Sequence, residues 1–185
     1  MQLLDHFRKK ENLRSAETVA AELNSYARKG LTVDALPDLD VRYRPTASLN
    51  FYMTKAAIVI QWLRIMERDP SSPKMAREVL DEFERLTFST LPAEKRLQVV
   101  EHIQNLMKLI SEINSFMEKR DLPREEVGKR GTAISARWFN LAFDDNDLAI
   151  RSSLKHGAEL IHCVYAEMEI IGQMTGKAIF ERGNI

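Results

Sequence analysis

The sequence predicts an all-α fold: a single-domain antiparallel helical bundle of about six or seven helices, spanning 1–185. Three observations carry this reading. Apolar residues recur at helical spacing along almost the whole chain, and strand-like alternation never lasts beyond a few residues. The seven glycines and six prolines fall mostly where such periodic stretches end. The turns between the stretches are mostly short, as between packed antiparallel helices.

The elements follow in order. A short helix is expected over about 2–10. The first clear helix covers about 16–29, with Ser15 as N-cap, an apolar stripe of Ala16, Val19, Ala20, Leu23 and Ala27, and Gly30 as the stop. Residues 30–48 contain Pro37 and Pro45 and no sustained period, so they read as a long connection. The helix near 48–67 is apolar on nearly all sides: Leu49, Tyr52, Ala56, Val59 and Trp62 cover one arc, and Phe51, Ile58, Ile60 and Leu63 another. A helix of that kind is central, with the others around it. Ser72 and Pro73 open the next helix, which buries Met75, Val79, Phe83 and Leu86. After a turn at 89–95, residues 97–119 give a regular stripe of Val99, Ile103, Leu106, Ile110, Ile113 and Met117. Residues 120–132 are charged; Pro123 offers a helix start, but Gly128 and Gly131 weaken it, so the segment reads as a second long or mobile connection. A helical aromatic stretch follows at 135–143. The polar run DDND, 144–147, caps a last helix that reaches about 180, with possible kinks at Gly157, Gly172 or Gly176.

Charge and composition narrow the function. Lys+Arg and Asp+Glu are both 27, so no global field draws in nucleic acid or an anionic membrane. The single cysteine, Cys163, cannot form an internal disulfide and reads as a packed thiol in a reducing compartment. The opening MQLLDHFRKKENLR lacks the apolar core of a signal peptide. Lys55, Gln61 and Arg64 break the longest apolar stretch, 49–66, below what a membrane span needs. A cytoplasmic protein is expected, with no membrane partner and no cofactor.

Candidate chemistry concentrates in RSSLKHGAELIHCVYAEMEII, residues 151–171. On a helical wheel Lys155, Ala158, Glu159, His162, Ala166, Glu169 and Gln173 lie within about 80° of Arg151, and the apolar residues gather opposite. Glu159 and His162 have the Glu-x-x-His spacing of a metal-binding helix, but di-iron bundles need two such motifs facing the core, and here there is one, on the polar side. Arg151, His156 and Gly157, in RSSLKHG, resemble the Arg-x4-His motif of the HEPN-family helical ribonucleases. That resemblance implies Arg151 and His156 acting on an RNA backbone at a dimer interface. In a continuous helix the two side chains would stand about 140° apart. Cys163 cannot share a proton with the adjacent His162, for the same reason.

Elsewhere, Arg42, Tyr43 and Arg44 place two cations around an aromatic ring, a possible anion contact opposed by Asp38 and Asp40. Trp62, Trp138, Phe139 and Phe143 form an aromatic reservoir, read as core or as a groove for a partner helix or a small apolar ligand. Walker, Rossmann, zinc and nucleophile-elbow patterns are absent. The resulting expectation is a non-enzymatic interaction or adaptor module that binds a protein partner or itself. The two alternatives are the HEPN-type ribonuclease and an apolar-ligand-binding bundle.

Overall fold

The computed structural model describes residues 15–29, 44–69, 73–89, 91–119 and 123–180. The expected helix at 2–10, Gly30, Arg42, Tyr43 and Ser72 lie outside the described residues. Six helices are described: α1 (Ala16–Arg28), α2 (Arg44–Glu67), α3 (Pro73–Phe88), α4 (Ala93–Glu118), α5 (Arg124–Phe143) and α6 (Asn146–Phe180). No strand occurs among the described residues, so the fold is all-α.

α2 is the central helix. It packs against each of the other five. Phe51, Ala56, Ala57, Ile58, Val59, Ile60 and Leu63 are all fully buried along it. α1 leans mainly on α3 and α2, while α5 and α6 form the most extensive pair. Ser15 caps α1 as its sequence context predicts, its hydroxyl accepting from Thr18 N at 3.2 Å. Asp144 takes the left-handed conformation at φ 51°, which an Asp tolerates better than most residues. The next residue, Asp145, caps α6 by accepting from Leu148 N at 2.9 Å.

Three expected boundaries are corrected. α2 begins at Arg44, so residues 44–48 are helix and not connection; Pro45 lies in the first turn, where a missing N–H leaves no bond unmade. α4 begins at Ala93, directly after the extended Pro92. The third correction is the largest. The segment 124–132 is helical throughout and opens α5. Glu125 and Glu126 lie in its first turn and favour the positive end of the helix dipole. Each also pairs one turn on, Lys129 Nζ with Glu125 at 2.7 Å and Arg130 with Glu126. These pairs offset part of the cost of the two glycines, and the packing of α5 against α6 supplies the rest. Nothing lies within 4 Å of where a Cβ would stand at Gly128. Gly128→Ala is therefore expected to stabilise the protein by roughly 0.5–1 kcal/mol, read as a higher urea midpoint.

α6 runs 35 residues without interruption through all three of its internal glycines. Two of those glycines mark close approaches. A Cβ at Gly157 would stand 3.1 Å from Ser135 Cβ and overlap its hydroxyl. A Cβ at Gly172 would stand 2.8 Å from the indole of Trp62. The same indole donates from Nε1 to the Met168 carbonyl at 3.2 Å, so Trp62 lies against the backbone of α6. The glycines let α5 and α2 approach α6; they do not break it.

Candidate functional site

The structure separates the residues that the Arg-x4-His resemblance would bring together. Gly157 does not loosen α6, and Arg151 and His156 keep their helical divergence of about 140°. Arg151 is exposed and its Nε donates to the Asp147 carbonyl at 3.4 Å. His156 is half-buried, with Nδ1 3.7 Å from Glu159 Oε2. Glu159 therefore turns back toward His156, and His162 stands exposed further along. Among the described residues no three His, Cys, Asp or Glu side chains are grouped to hold a metal ion.

The polar wheel of α6 is reproduced closely. Arg151, Lys155, Ala158, Glu159, His162, Ala166, Glu169 and Gln173 are exposed. Leu160, Ile161, Val164, Met168 and Ile171 are buried. Leu154 and Ile170 flank the exposed strip at 71% and 42% exposure. Arg44 opens α2 and does not belong to a loop.

The aromatic reservoir is mostly core. Trp138 and Phe139 are fully buried, and Phe143 and Trp62 are half-buried. Trp138 tilts against Phe51 at 4.6 Å between centroids, meets Phe139 edge-on at 5.4 Å, and Phe139 stacks with Phe143 at 5.6 Å. Trp138 Nε1 donates to Thr54 Oγ1 at 3.0 Å, which satisfies the indole without solvent.

Beneath the outer face lies a group that no motif announces. Lys55 of α2 reaches Glu167 of α6, Nζ to Oε1 at 3.1 Å, with side chains only 5% and 11% exposed. Tyr26 of α1 donates its hydroxyl to the other carboxylate oxygen of Glu167 at 2.9 Å. The ammonium also sits 4.3 Å from the centre of the Tyr26 ring. One buried ion pair and one cation–π contact thus join three helices. Burial pushes the Tyr26 phenol up to about 12, and the hydrogen bond to Glu167 and its negative charge push the same way. Cys163 lies close enough to feel both charges. Burial, Glu167 and Glu159 raise its thiol, against Lys55, which favours the protonated form.

The Tyr26 shift has a testable sign. The folded protein holds that proton to about pH 12, whereas an ordinary tyrosine releases it near 10. Between those values the folded state binds more protons than the unfolded chain, so its stability falls as pH rises. Absorbance at 295 nm is expected to show one tyrosine ionising late in the wild type, and Tyr26→Phe should remove that late phase. A late phase that survives in Tyr26→Phe would reject the assignment.

No family model matches the chain, and neither a curated protein nor a solved structure matches it.

Proposed function

We propose that the chain is a non-enzymatic helical interaction module that associates with itself through the outer face of α6. The supporting observation is the arrangement of that face. Lys155, His162 and Glu169 are exposed and spaced two helical turns apart, nearly in line. Ala158 and Ala166 stand four residues to either side of His162, too small to hold a second helix away. A second copy related by a two-fold axis at His162 would run antiparallel. It would set Lys155 of each copy against Glu169 of the other. An isologous contact of this kind uses one patch twice and closes at two copies. Leu154 and Ile170 would sit at its rims, which gives their exposed apolar surface a place to go.

Sedimentation equilibrium tests the proposal. The wild type is expected to dimerise. Glu169→Lys should weaken the dimer by roughly tenfold or more, because each of two pairs turns from attraction to repulsion. The exchanged variant, Lys155→Glu with Glu169→Lys, should restore it. A chain that stays monomeric at the highest attainable concentration, or a dimer indifferent to Glu169→Lys, would reject this face.

A further inference from the structure

A second feature lies away from α6's outer face and is independent of self-association. The first turns of α2, the first turns of α4 and the last turn of α5 meet around a half-open cleft of about 220 Å³. Leu49, Met53, Val99 and Leu141 form its apolar wall, the exposed Thr46 and Gln98 stand at its rim, and Asn50 and His102 supply its inner polar pair. None of its lining residues is a Lys, Arg, Asp or Glu, so nothing in the cleft is built to hold an ion.

The polar pair is oriented from behind. Asn50 is buried, and its Nδ2 donates to the Trp138 carbonyl at 3.4 Å. That bond turns the amide oxygen toward His102, whose Nε2 lies 2.5 Å from it. An oxygen can only accept, so Nε2 carries the proton. In the neutral ring Nδ1 is then left as a bare acceptor. Burial lowers the pKa of His102 below its ordinary value, which favours the neutral ring. A cleft with an apolar wall, a polar rim and an inner acceptor held in place from behind suits a particular kind of guest. An apolar cavity of roughly 150 Å³ holds benzene. This one has room for a ring and a substituent.

We infer that the cleft binds a small uncharged ring compound bearing one hydroxyl, with the ring against Leu49, Met53, Val99 and Leu141 and the hydroxyl donating to His102 Nδ1. Uncharged phenols are the chemical class that meets both demands.

The test is a ¹⁵N NMR titration of the full chain with p-cresol, and in parallel with toluene, which lacks only the hydroxyl. With p-cresol, saturable shifts are expected at the backbone amides of Leu49, Met53, Val99 and Leu141, and the His102 Nδ1 resonance should move upfield. Toluene should move the same amides with about tenfold lower affinity, the worth of one hydrogen bond. His102→Phe should bind p-cresol as weakly as toluene. If that variant does not fold, the two probes on the wild type still decide. No saturable shift at those amides, equal affinity for both probes, or an unmoved Nδ1 would each overturn the inference.

Discussion

Lys55→Met is expected to destabilise the protein by about 3–5 kcal/mol, the usual penalty for stranding one partner of a buried ion pair. Methionine matches the lysine stem in length, so little packing is lost. What is lost is the charge that neutralises Glu167, in a place where its side chain is 11% exposed and water cannot replace the ammonium. The Tyr26 hydroxyl continues to donate to Glu167, but a neutral phenol cannot balance a full charge. Removing both charges, in Lys55→Met with Glu167→Leu, should recover most of the loss, since apolar replacements of buried pairs are commonly neutral or stabilising. Urea unfolding of the two single variants and the double variant yields the coupling directly. A single variant that loses less than about 1 kcal/mol would mean that water reaches the pair, and the cluster would then be a surface contact.

Trp138→Ala is expected to cost a similar amount, about 3–5 kcal/mol. The indole is 1% exposed and packs on Phe51 and Phe139. Its removal leaves a cavity between α2 and α5 and strips Thr54 Oγ1 of its donor. Thr54 itself can still donate to the Asn50 carbonyl at 2.7 Å, so the hydroxyl is not wholly orphaned. Trp138→Phe should therefore lose much less than the alanine variant. A Trp138→Ala protein of unchanged urea midpoint would show that the α2–α5 seam collapses around the gap.

The helical plan was legible in the sequence because apolar spacing alone determines it. The central position of α2 followed from a helix apolar on almost every side, and the capping run at 144–147 from residue types that favour caps. The start of α5 was not legible by glycine counting. Gly128 and Gly131 argue against a helix there, while Pro123 at the start and two Glu-to-cation pairs spaced one turn apart argue for one. The buried cluster was missed for a different reason. In the sequence Lys55 stands out only as an interruption of an apolar stretch. A lysine on a helix that is apolar on nearly all sides requires a counter-charge. The candidate was present on the same wheel: Glu167 falls roughly 160° from Arg151, on the apolar side of α6 among Leu160 and Val164. The cleft at His102 could not be seen at all, since its polar pair joins residues 52 positions apart on different helices.

The Tyr26–Glu167 bond also bears on how the chain comes to be folded. Its partners are 141 residues apart. Chains are synthesised from the N-terminus at roughly 5–20 residues per second, and early segments can fold before later ones exist. α1, α2 and α3 leave the ribosome while α6 is still unmade. In that interval Lys55 has no carboxylate from α6 to pair with, and burying its charge alone is costly. Glu167 supplies both the counter-charge for the lysine and the acceptor for the tyrosine of α1. The burial of α2's inner side is thus tied to a helix made much later, and a chain truncated before Glu167 is expected to leave Lys55 in water.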